Sequence, residues 1–116
     1  MKPTLGVPWE VTPEKVEAVV RRLREAGRPR KIILFGSYVH GEIHRDSDLD
    51  LLIVTDDSVE NPRAESVRLR RCVADIDMPM DILVVPESRF NELRDVPGLI
   101  YKEACETGRV VYEQNG

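Results

Sequence analysis

Gly36-Ser37 and, ten residues further on, Asp48-Leu49-Asp50 are the candidate reactive groups of this chain. The second group runs straight into Leu51-Leu52-Ile53-Val54, an apolar run of strand type. Side chains alternate faces along a strand, so Asp48 and Asp50 point the same way and can share a cation. Two carboxylates at the entrance of such a strand are costly unless solvated, paired or bound to metal. The Gly-Ser pair is a small-residue turn before a short helix, whose first backbone N–H groups can cradle phosphate. A phosphate cradle beside a carboxylate pair points to metal-assisted phosphoryl or nucleotidyl transfer. Asp81 opens a third apolar run, Ile82 to Val85. Any one of these acids taken singly is more often a turn or cap residue; it is their combination with Gly36-Ser37 that carries the inference.

The elements that must hold these residues follow from periodicity and breakers. Pro3, Gly6 and Pro8 mark residues 1–11 as an arm, and 12–116 as a single domain. Thr12-Pro13-Glu14 is a helix start, with a hydroxyl cap, a first-turn proline and an acid at the positive dipole end. Val16, Val19, Val20 and Leu23 form one buried stripe of that helix, which Gly27 and Pro29 end. Lys31 to Phe35 is a short central strand, and a short helix follows Gly36-Ser37 as far as Gly41. Leu49 to Val54 is the second strand. Asn61-Pro62 starts a helix with the stripe Leu69, Cys72, Val73 and Ile76. Asp81 to Val85 is the third strand, followed by helices over Pro86–Leu93 and Gly98–Glu106. Gly108 stops the last helix, and Arg109–Tyr112 adds an edge strand. The fold class is α/β, or a close α+β relative, with a small mixed sheet flanked by helices.

The mixed sheet is a geometric requirement. Gly36-Ser37 follows the C-terminal end of strand one, whereas Asp48, Asp50 and Asp81 lie at the N-terminal ends of strands two and three. They meet at one edge only if strands one and two are antiparallel and strands two and three parallel. The segment from Thr55 to Pro79 is long enough for the helical crossover that a parallel pair needs.

At 116 residues the chain fits one domain with one core. It is 41% apolar and 33% charged, the composition of a soluble globular protein, and no apolar run approaches the length of a membrane span. The N-terminus lacks the apolar core of a signal peptide, so the expected location is cytoplasmic. Cys72 and Cys105 fall among apolar neighbours and read as free buried thiols. His40 and His44 have a zinc-like spacing without a third nitrogen or sulfur ligand. A net charge of −4 argues against direct, sequence-independent nucleic-acid binding. The clusters Arg21 to Lys31 and Arg63 to Arg71 read as solvated helix faces that could also steer a triphosphate or meet an acidic partner.

Gly36, Ser37, Asp48, Asp50 and Asp81, with Gly41 and Ser47, resemble the signature of the minimal nucleotidyltransferases of the DNA polymerase β superfamily. That signature is Gly-Ser, about ten residues, Asp-x-Asp and a third acid on a later strand, and the resemblance extends from Thr12 to Tyr112. It implies that Gly36 and Ser37 bind the nucleotide phosphates. It also implies that Asp48, Asp50 and Asp81 are catalytic and hold two Mg²⁺ ions, with ATP as donor. The chain departs from many relatives at Val39 and His40, where they carry a small residue and an arginine. Small members of this kind are often antitoxins that transfer AMP from ATP to a tyrosine hydroxyl of a helical HEPN toxin, and that is the function expected here. The alternatives are an antitoxin acting by contact alone and a transferase for a small hydroxylated substrate such as an aminoglycoside. The nucleotide base and the oligomeric state, homo-oligomer included, are left open by the sequence.

Overall fold

A computed structural model of the protein describes residues 9–41 and 48–114. The arm expected over residues 1–11 falls mostly outside this range, as do His44, Asp46 and Ser47. Trp9 is exposed, and Val11 is buried in the core.

Helix α1 (Pro13–Gly27) begins as its sequence dictates: the Thr12 hydroxyl accepts from the backbone N–H of Lys15 at 3.2 Å, and proline takes the first turn. Val16, Val19 and Leu23 are its buried stripe. Its end differs in detail from expectation, because the left-handed cap residue is Arg28, with φ 44°. Gly27 is the last helical residue, and a Cβ there would lie 3.1 Å from Leu69 Cδ2. Gly27 therefore serves the close packing of α1 on the next helix rather than the turn.

Strands β1 (Lys31–Phe35), β2 (Leu49–Thr55), β3 (Met80–Pro86) and β4 (Arg109–Glu113) form one sheet in the order β3-β2-β1-β4. β1 runs antiparallel to β2 and β4, and β2 runs parallel to β3. The parallel pair is joined through α2 (Pro62–Cys72), started by Asn61 Oδ1 accepting from Ala64 N at 3.1 Å. The sheet is mixed, as the placement of the acids requires. The α2 stripe is shorter than the sequence predicts: the helix stops at Cys72, and Ile76 sits in a turn closed by Ile76 N–H to Val73 O.

Strand alternation divides the core in two. Ile32, Leu34, Leu49, Leu51 and Ile53 pack with Val19, Leu23, Leu69 and Val73 on the α1/α2 side. Ile33, Phe35, Leu52, Val54 and Val85 pack with Phe90 of α3 (Glu87–Leu93) and Ala104 of α4 (Ile100–Thr107) on the other. Helices thus cover both faces, and every β1 residue from Ile32 to Phe35 is buried. Among the described residues no helix is long and apolar enough to cross a membrane.

The short helix expected after Gly36 is not formed. Residues 37–41 make a turn instead, closed by Val39 N–H to Gly36 O at 3.2 Å and Gly41 N–H to Tyr38 O at 3.4 Å. A segment this short gains too few hydrogen bonds to offset helix nucleation, and Gly41 leaves it with φ 76°.

Candidate active site

Register brings the acids together. Asp50 lies opposite Phe35 of β1 and opposite Asp81 of β3, so Asp50 and Asp81 are direct neighbours across the parallel pair. Asp48 precedes them by one strand period at the same sheet edge. The odd-numbered neighbours Leu49 and Leu51 face α1 and α2, which directs Asp50 to the α3/α4 face. The same alternation applies to Asp81 between Met80 and Ile82. Asp48 and Asp81 are exposed, and Asp50 is half-buried.

Electrostatics mark Asp50 as the centre of the group. Its carboxyl is held above the ordinary carboxylate range, first by burial and then by the charges of Asp81, Asp48 and Glu103. Glu103, exposed on α4, is a fourth acid at this site that sequence reasoning missed. Nothing in its local sequence marks it, because only the docking of α4 against β1 brings it within electrostatic reach of Asp50.

Gly36 sits directly against the same carboxylate. It has φ 82°, and a Cβ built on it would lie 2.3 Å from Asp50 Oδ2. Glycine is therefore required twice over, for the left-handed backbone and for the room it leaves the carboxylate. In the turn beyond, the N–H groups of Val39, His40 and Gly41 are used internally. Those of Ser37 and Tyr38, and the Ser37 hydroxyl, have no partner among the described residues. Successive free N–H groups of this kind form an anion-binding concavity. Tyr38 and Val39 are partly buried against the α1/α2 core, and His40 is exposed.

Three neighbouring carboxylates are the hard oxygen donors that Mg²⁺ prefers, so the donor chemistry fits that ion. Among the described residues, however, no three His, Cys, Asp or Glu side chains are already gathered at metal-holding distance. The charges of Asp81 and Asp48 act on Asp50 nonetheless, after burial the chief causes of its raised pKa. Cys72 and Cys105 are free and half-buried, and Arg94 Nη2 donates to Cys105 Sγ at 2.9 Å.

Residues 17–116 match the family model described as polymerase beta, nucleotidyltransferase. The chain is 32% identical over 99 residues to a protein of Methanocaldococcus jannaschii named as a protein adenylyltransferase, covering 85% of this chain and 92% of that one. It is 43% identical over 47 residues to protein adenylyltransferase MntA of Thermococcus cleftensis, a match spanning 37% of this chain and 48% of the relative. In fold it is similar to a chain in the crystal structure of a toxin–antitoxin with AMP-PNP, with a TM-score of 0.60 and 21% identity over 90% of this chain and 76% of that one. With a family model matched over most of its length and an archaeal relative aligned nearly end to end, the chain belongs to the polymerase β nucleotidyltransferase family as one of its minimal members.

Proposed function

We propose that the protein is a Mg²⁺-dependent adenylyltransferase antitoxin that moves AMP from ATP to a tyrosine hydroxyl of a helical HEPN toxin. What supports this reading is the register of Asp50 opposite Asp81, with the charge of Asp48 acting on Asp50 and Gly36 lying directly against the Asp50 carboxylate. The named activity of the two archaeal relatives supports the choice of AMP and of a protein acceptor.

Each residue has a task in this account. The free N–H groups of Ser37 and Tyr38, with the Ser37 hydroxyl, hold the β- and γ-phosphates. Asp48, Asp50 and Asp81 would hold Mg²⁺, with Asp81 also facing the acceptor hydroxyl. Mg²⁺ bound there would neutralise phosphate charge and make the acceptor hydroxyl more acidic. Asp81 accepts the phenolic proton as the tyrosine oxygen attacks the α-phosphorus. One P–O bond forms, the bond between the α-phosphorus and the bridging oxygen breaks, and pyrophosphate leaves with that electron pair. Gly36 keeps the backbone close enough to Asp50 for cradle and carboxylates to serve one triphosphate.

The test uses ATP labelled at the α-phosphate, Mg²⁺ and the purified product of the neighbouring reading frame. Label should appear on a tyrosine of that product and depend on Mg²⁺. Label that remains in nucleotide, with the product nonetheless silenced, would assign neutralisation to contact instead.

A further inference from the structure

A cavity of about 490 Å³ opens between α1 and β4, on the face of the sheet turned away from Asp50. A bulge in β4 shapes it. Ile32 pairs with Tyr112 and Ile33 with Val110, so Val111 is the extra residue of this edge strand. Bulges re-aim side chains, and Arg109, Val111 and Tyr112 all come to the α1 side of the sheet. Along α1 the cavity follows Pro13, Val16, Val20 and Arg24, one helix face about 16 Å long at about 1.5 Å per residue. Its floor is apolar: Val16 and Leu34 are buried, and Val20, Val111 and Tyr38 are half-buried. Its rim is basic. Arg21, Arg24 and Arg109 stand exposed there, and Glu17 is the one carboxylate among the described residues of the wall. Arg21 and Arg109 have no partner among the described residues. The Arg24 guanidinium is held over the Tyr112 ring, 4.4 Å from its centroid, a contact that leaves the positive charge in place. Arg22, on the other side of the same helix, is by contrast taken up by Asp75.

We infer that this groove seats an acidic amphipathic helix of the partner protein and fastens that partner at a distance from the acids. A helix laid along α1 presents apolar side chains at three- and four-residue intervals, the spacing of Pro13, Val16 and Val20 that it would cover. Carboxylates flanking its apolar stripe complement the three guanidiniums, whose planar forks bind carboxylate bidentately. An extended segment would instead add to the outer edge of β4, where the bulge breaks the regular ladder. Single-stranded nucleic acid is the poorer occupant. It needs successive rings to stack on, and Tyr38, itself packed against the core, is the one ring among the described residues of the wall. The basic run of α1 thus has a role that the transfer chemistry does not use. The inference rests on the reading of the protein as an antitoxin with a protein partner, and it holds whether silencing proceeds by transfer or by contact.

The experiment measures affinity for the purified neighbouring gene product by calorimetry, without ATP or Mg²⁺. It compares the parent, R21E/R109E, R21K/R109K and the control R63E/R89E, whose positions are exposed and lie outside the groove. R21E/R109E should raise Kd at least about tenfold, whereas R21K/R109K, which keeps the charge, should stay within about threefold of the parent. The control should match the parent. Arg24 is left in place to keep its contact with Tyr112. Thermal unfolding of each variant checks that these surface changes leave the fold intact. Equal Kd values for R21E/R109E and the parent overturn the inference, as does an equal loss in R63E/R89E, the mark of general charge attraction. If the Kd values are equal, a parent dimer that R21E/R109E dissociates assigns the groove to a second copy. Loss of binding to a single-stranded RNA oligonucleotide in R21E/R109E then assigns it to nucleic acid. A parent that does not bind the neighbouring gene product overturns the inference as well. A parent that binds it as expected but transfers no label from ATP removes the transferase reading and leaves this inference standing.

Discussion

Replacing Gly36 by alanine should reveal that its backbone and the Asp50 carboxylate occupy one tightly shared space. At φ 82° an L-residue costs about 1–2 kcal/mol. The new Cβ would also stand 2.3 Å from Asp50 Oδ2 and 3.3 Å from Cγ, so the carboxylate must rotate. An off-rotamer side chain costs about 0.5–1.5 kcal/mol. Gly36→Ala should therefore destabilise the metal-free domain by about 1.5–3.5 kcal/mol. In an Asp50→Ala background both offending atoms are gone, and the next atom, Cβ of residue 50, is at 3.5 Å, an ordinary contact. There the same substitution should cost only the backbone part. Urea denaturation of the four proteins closes the cycle and should give a coupling of about 1 kcal/mol. Equal costs in both backgrounds would show that Gly36 and Asp50 do not touch, and the shared cradle would be wrong.

Three further outcomes follow from the same structure. Asp50 titrates above its unfolded value, so the unfolded chain ionises first and the metal-free fold loses stability as pH rises through the raised pKa. Asp50→Asn should accordingly be more stable than the parent by a margin that grows from about pH 4 upward and then levels, read from thermal unfolding with chelator present. Ser37→Ala should weaken ATP binding by about 1.5–3 kcal/mol in calorimetry, the worth of one hydrogen bond to a charged group, while the melting temperature stays nearly unchanged. Arg28 holds a left-handed conformation with φ 44°, so Arg28→Gly should stabilise the domain by up to about 1 kcal/mol in urea denaturation.

The parts of this fold that were legible in the sequence are those governed by local periodicity. β1 spans Lys31 to Phe35 as its unbroken apolar run predicts, and Thr12-Pro13 and Asn61-Pro62 start their helices through side-chain caps. The mixed sheet was legible because Gly36 and the acids sit at opposite ends of their respective strands. Where reading failed, the deciding contact was tertiary or the segment too short. Residues 37–41 close as a turn because one helical turn cannot sustain itself. Gly27 is small because Leu69 presses on it, a contact between α1 and α2 that neither helix reveals alone. Glu103 reaches the site only through the docking of α4. The arginines of α2 read as one solvated face, yet Arg68 bonds across to α1 whereas Arg70 and Arg71 line a cavity between α2 and β3.

If the acids at the sheet edge transfer AMP to a partner protein, removing their charge must remove both the transfer and the silencing of that partner. Asp48→Asn/Asp50→Asn keeps side-chain shape and removes two charges, and it relieves repulsion around a half-buried carboxylate, so the fold should survive. The decisive measurement is transfer of α-phosphate label from ATP to the neighbouring gene product, made in parallel with an assay of that product's toxicity. The double substitution should abolish both label transfer and neutralisation while the two proteins still associate. A double mutant that neutralises as well as the parent would contradict this expectation, leaving contact alone as the mechanism.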